Sequence, residues 1–72
     1  MAHTIVGNSV REYRLRKGIT QAQLAELVGI ARVSILAIEK GRHIPTIETA
    51  LRLQKALEAS LEELFWLKDD QL

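Results

Sequence analysis

The sequence predicts an all-α fold of five short helices in one domain, and three observations predict it. Apolar residues recur at helical spacing in successive short segments. Capping residues open those segments and glycines close most of them. The chain has 72 residues, room for one domain with a modest core.

The elements follow in order. A first helix is expected over residues 9–17, capped by Asn8. Val10 and Tyr13 share a face, and Arg14 lies on it too, so its aliphatic stem is expected inside. Gly18 ends this helix in a left-handed conformation. Thr20 caps a second helix, Gln21–Val28, and Gln23 three residues on makes a capping box. Leu24, Leu27 and Val28 form its apolar stripe, and Gly29 stops it. A third helix begins near Ala31 or Arg32 and ends before Gly41, with Ile35 and Ile38 inward. After a loop over residues 41–45, Thr46 caps a fourth helix through Leu57, with Ile47, Ala50, Leu51 and Leu57 inward. Ser60 and Glu63 make a second capping box for a short fifth helix over residues 61–65. Residues 4–6 and 65–67 are short, apolar, and β-branched or aromatic. They read either as frayed ends or as strands that pair, within the chain or across a dimer.

Composition narrows the function classes. There is no cysteine, so neither disulfides nor thiolate metal sites are expected. Charges interrupt every apolar run, which excludes a transmembrane segment, and residues 1–8 lack the features of a signal peptide. A cytoplasmic protein is expected. The net charge is +1, unevenly spread. Residues 1–45 hold seven bases and three acids, giving +4; residues 46–72 hold three bases and six acids, giving −3. The basic half suits a polyanion, although solvated surface charge explains it equally well. His3 and His43 lie in a terminus and a loop, without a carboxylate pair, a nucleophile–base pair or a phosphate loop. An enzyme is not expected, nor a metal, a cofactor or a small-molecule ligand.

Residues 21–40 carry the functional reading. Two short helices with only Gly29, Ile30 and Ala31 between them must cross steeply, and the small Ala25 sits where their backbones approach. Leu24, Val28, Ile30, Ile35 and Ile38 then form a shared core. Such a helix-turn-helix presents its second helix to the major groove of DNA.

The residues also carry a resemblance. Residues 18–29, GITQAQLAELVG, resemble the first half of the Cro/cI-type (XRE-type) helix-turn-helix. Residues 34–41, SILAIEKG, resemble the second half with its I-E-[KR]-G ending. PTIETA at 45–50 and ALEASLEELF at 56–65 are similar to the two helices that follow in that family. The resemblance spans residues 9–65 and implies a five-helix, lambda-repressor-like domain over residues 1–72. It also implies a homodimer on a palindromic double-stranded operator, acting as a transcriptional repressor. Four positions depart from the family pattern. Ala31 stands where Ser or Thr usually caps the third helix, at a cost of about 1 kcal/mol. Leu36 replaces a polar residue, Gln54 a small apolar one, and Glu58 a frequent glycine.

Projected around a helix, the side opposite Ile35 and Ile38 holds Val33, Leu36, Ala37 and Lys40, with Arg32 at one flank. Arg32, Val33, Leu36 and Ala37 are the base-reading candidates. The apolar ones would meet thymine methyls, and Arg32 a guanine or a phosphate. Gln21, Lys40, Arg42 and His43 are the phosphate candidates; His43 fits a solvated loop residue equally well. The resemblance implies that Arg14 and Glu39 form an ion pair between the first and third helices. Leu61, Leu64 and Trp66 are candidates for a homodimer contact, with the monomer core as the alternative. The competing function is a protein-interaction module on the same fold, such as an antitoxin-like partner docking on Val33 and Leu36.

Overall fold

The structure is a computed structural model and describes residues 5–68. Its elements are β1 (Val6–Asn8), α1 (Val10–Lys17), α2 (Gln21–Val28), α3 (Arg32–Glu39), α4 (Ile47–Leu57), α5 (Leu61–Leu64) and β2 (Phe65–Leu67). Five helices surround one core, and the two strands pair antiparallel within the chain: Val6 with Leu67, Gly7 with Trp66, Asn8 with Phe65.

The strand expectation therefore needs two corrections. The first strand begins at Val6 rather than running over 4–6, and Thr4 lies outside the described residues. Phe65 is extended (φ −138°, ψ 145°), so α5 stops at Leu64 and Phe65 opens β2. The ribbon joins the segment leading into α1 to the one leaving α5. The Ser9 amide donates to the Leu64 carbonyl, and the Ser9 hydroxyl to that of Glu63. Ser9 is thus spent on α5, and α1 starts at Val10. The cap position is Ser9, not Asn8 as expected, and Asn8 instead accepts at its Oδ1 from the Val10 amide at 3.1 Å. Its Nδ2 reaches across to the Ile38 carbonyl at the end of α3.

Val10, Leu24, Ala25, Val28, Ile35, Ile38, Leu53, Leu57, Ala59 and Leu64 form the core, with Tyr13, Ile19, Ile30, Ala56 and Phe65 packed against it. Thr20 and Ser60 both make full capping boxes. Three expected core positions are corrected. Leu27 is exposed, because Leu24, Val28 and Ala25 define the buried arc of α2 and Leu27 lies about 100° off its centre. Ile47 and Leu51 are also exposed, at 79% and 55%. In their place Leu53, which is fully buried, faces inward beside Leu57. Leu51 and Leu53 lie about 200° apart around a helix, so only one can point at the core.

Candidate nucleic-acid interface

The axes of α2 and α3 turn through 108° at the short break between them. Gly29 makes that turn with φ 84°, a left-handed conformation that favours glycine, and its amide donates to the Ala25 carbonyl at 2.8 Å. Ala25 is 4% exposed at the crossing, where a larger side chain would hold the helices apart. Ile35 and Ile38 are buried, so α3 is fixed in rotation and its far side is presented outward.

That far side is apolar with basic ends. Val33 is 70% exposed and Leu36 38%; Ala37, half-buried, lies on the other side of Val33 from Leu36. Arg32 and Lys40 are exposed at the two ends of the helix. Beyond Lys40, Gly41 turns with φ 76°, and the Arg42 amide donates back to the Ala37 carbonyl at 2.9 Å. This places exposed Arg42 and His43 just past the helix end. Arg32, Val33, Leu36, Ala37 and Lys40 thus share one outward surface, while Arg42 and His43 flank it.

Behind this surface lies a polar hub. Arg14 Nε donates to Glu39 Oε2 at 2.6 Å, and Arg14 Nη2 to Oε1 at 3.3 Å. The two side chains are 8% and 2% exposed. Arg14 Nη1 also donates to the Ile19 carbonyl in the α1–α2 turn, and Gln21 Nε2 donates to Glu39 Oε1 at 3.1 Å. One carboxylate at the end of α3 therefore ties together α1, α2 and α3. Among the described residues no buried side-chain polar atom lacks a partner. The Gln21 contact was not foreseen from the sequence, where helical spacing and the family resemblance pointed only to the Arg14–Glu39 pair.

At the start of α2 the Thr20 hydroxyl accepts from the Gln23 amide, leaving the Gln21 and Ala22 amides without a side-chain cap. A groove opens there, with Arg14, Thr20, Gln21, Ala22 and Arg32 among the residues that line it. Open backbone amides at a helix N-terminus, with an arginine lining the same groove, suit a phosphate or an acidic group.

The dimer candidates separate. Leu64 is fully buried in the monomer core, because the turn from α5 into β2 points it inward, and it is removed from the set. Leu61 and Trp66 are 45% and 46% exposed. They border an apolar groove shared with Val6, Ile44, Pro45 and Ile47. Ile44 and Ile47 were missed as surface residues: Ile44 belongs to no helix, and Ile47 fits an inward stripe equally well by spacing. Trp66 also serves the monomer, since its indole covers Gly7 closely enough that a Cβ there would lie 2.5 Å from Nε1.

Comparisons with known proteins agree with this geometry. Residues 10–64 match the helix-turn-helix family model. The chain is 41% identical over 63 residues to the uncharacterized HTH-type transcriptional regulator YgzD of Bacillus subtilis, covering 88% of this chain and 96% of that one. Its fold is similar to the P22 c2 repressor solved in complex with a synthetic operator (TM-score 0.72, 36% identity, 74% of this chain and 80% of that one). It is likewise similar to the restriction-modification controller protein C.AhdI from Aeromonas hydrophila (TM-score 0.70, 33% identity, 75% and 82%).

Proposed function

Because the chain belongs to the helix-turn-helix family of XRE-type transcriptional regulators, which are not enzymes, we propose that it represses transcription as a homodimer bound to a palindromic operator. In this reading α3 enters the major groove of double-stranded DNA. The observation that carries it is the outward face of α3, an exposed apolar strip between Arg32 and Lys40, held in rotation by the buried Arg14–Glu39 pair.

Val33 and Leu36 meet thymine methyl groups, and Ala37 leaves room for close approach of the backbone. Arg32 supplies a guanidinium to a guanine edge or a phosphate. Lys40, Arg42 and His43 grip phosphates on one side of the groove, and the amide end of α2 at Gln21 grips them on the other. The homodimer forms through the apolar groove bordered by Ile44, Ile47, Leu61 and Trp66. A two-fold dimer of this kind sets its reading helices about 34 Å apart, one turn of DNA. In this reading the protein works in the cytoplasm.

Selection of bound duplexes from random DNA at physiological salt tests the proposal. The expected result is a T-rich palindrome, with Val33→Ala relaxing one position by about 1 kcal/mol. The exposure of Val33 also favours a second reading, a protein partner docked on α3. The absence of any enriched duplex, with partner binding that changes little between low and high salt, would establish it instead.

A further inference from the structure

We infer that α4 carries a second self-recognition surface, separate from the groove assigned to the dimer, through which two DNA-bound dimers contact one another. The inference rests on the DNA reading above. Its starting point is a pair of leucines that the core does not use. Leu27 on α2 and Leu51 on α4 are 62% and 55% exposed. They line one groove together with Glu48, Arg52, Lys55 and Ala56. None of these six residues lines the groove assigned to the dimer.

The order of side chains along α4 names the partner. Glu48, Leu51, Arg52 and Lys55 stand at i, i+3, i+4 and i+7, so they run along one face of the helix, with an acid at one end and a base at the other. A second α4 laid antiparallel across this face sets each Glu48 opposite the other copy's Lys55 and gathers the leucines about a two-fold axis. Both end groups are available. Arg52 Nε and Nη2 both donate to Glu48 Oε2, which leaves Oε1 open to a further donor. Lys55 is exposed and forms no ion pair among the described residues. A face that carries both signs in this order complements a copy of itself better than a partner of single charge. The contact is small. Two leucines, an alanine and a few charged side chains fall well short of the about 800 Å2 per partner that a stable interface buries. It therefore acts where DNA already holds two dimers close together and raises their effective concentration. The consequence is cooperative filling of neighbouring operators.

The test is binding of the full chain to duplexes that carry one selected operator or two, with the separation of the two varied through a full turn of DNA. At the favourable separation the second dimer should bind about tenfold more tightly than the first. Glu48→Lys and Lys55→Glu should each abolish that gain and leave single-operator affinity unchanged. The variant carrying both substitutions should restore it, because the reversed charges pair again across the axis. Cooperativity that survives both single variants, or that the double variant fails to recover, would overturn the assignment. Weaker binding of these variants to a single operator would overturn it too, placing the stripe in the dimer contact itself. Normal single-operator binding with no cooperativity at any separation would overturn the inference alone. A wild-type chain that enriches no duplex would overturn the DNA reading and this inference together.

Discussion

Arg14 is the side chain whose removal should harm the domain most. Its guanidinium is the main partner of a carboxylate that is 2% exposed, and truncation would leave Glu39 with only the Gln21 amide. Breaking one side of a buried pair costs about 3–5 kcal/mol, a large part of the stability expected for a domain of this size. Arg14→Ala should therefore lower the urea midpoint steeply; full stability with weakened DNA binding would show that Arg14 is a contact residue instead. Glu58 is the opposite case. It caps α4 with φ 54°, a left-handed conformation unfavourable for a side chain with a Cβ. Its carboxylate makes an exposed ion pair with Lys17 at 2.8 Å. The hydrogen bond and positive charge of Lys17 hold its pKa below the usual carboxylate range. A depressed folded pKa contributes stability that is present at neutral pH and lost as pH falls through that lowered value. The Glu58 carboxylate is solvent-exposed, so this contribution is small. Glu58→Gln should thus be close to neutral at pH 7, while Glu58→Gly should raise the melting temperature by a few degrees by relieving the backbone. If Glu58→Gly melted lower than Glu58→Gln, the surface pair would outweigh the strain.

At the scale of elements, the start of α3 is the weakest join. Ala31 has the extended backbone of a cap residue (φ −72°, ψ 151°) but no side-chain oxygen to offer the helix. A serine there would accept from the Ser34 amide as Thr20 does for Gln23, so Ala31→Ser should add about 1 kcal/mol in chemical denaturation. No gain would mean that the Ala31 carbonyl, which already accepts from Ser34 at 3.0 Å, leaves that amide nothing further to recover. The same local chemistry explains what could be read in the sequence. Helices α2, α3 and α5 were legible at their starts because caps and turn residues act within a few positions. The Arg14–Glu39 pair and the outward face of α3 followed from helical spacing together with the family resemblance. Helix α4 was misjudged in rotation. Ile47, Leu51, Leu53 and Leu57 are apolar on more than one side, and spacing cannot decide which side meets α1 and α2. The strands were half legible. Their β-branched and aromatic residues were visible, but their pairing depends on Ser9 and Asn8 joining α1, α5 and α3 across long stretches of sequence. The Gln21–Glu39 hydrogen bond was hidden for the same reason, since the carboxylate lies 18 residues away.

For the whole molecule, the surplus apolar surface is what the proposed association rests on. A domain of 72 residues without cysteine has a small core, yet it leaves Ile44, Ile47, Leu61 and Trp66 about half or more exposed around one groove. Scattered apolar residues need no explanation, but a contiguous patch marks a place of contact. Burial of this patch between two copies would supplement the core, so the melting temperature should rise with protein concentration. Ile47 is the residue with which to test it. At 79% exposure its side chain contributes little to the monomer, and Ile47→Glu should leave the circular dichroism spectrum unchanged. In the dimer the same substitution would bring uncompensated carboxylates into an apolar contact, which is costly. Sedimentation should then show monomer at micromolar concentrations at which the wild-type chain is expected to be a dimer. Affinity for a full palindrome should fall by two orders of magnitude or more, because binding the second half-site is no longer intramolecular. Affinity for a single half-site should stay as it was, since the Arg32–Lys40 surface lies on a different helix and is unaltered. A variant that remains dimeric would place the two-fold axis elsewhere on the molecule, and a wild-type chain that is monomeric at micromolar concentration would remove the dimer from the mechanism.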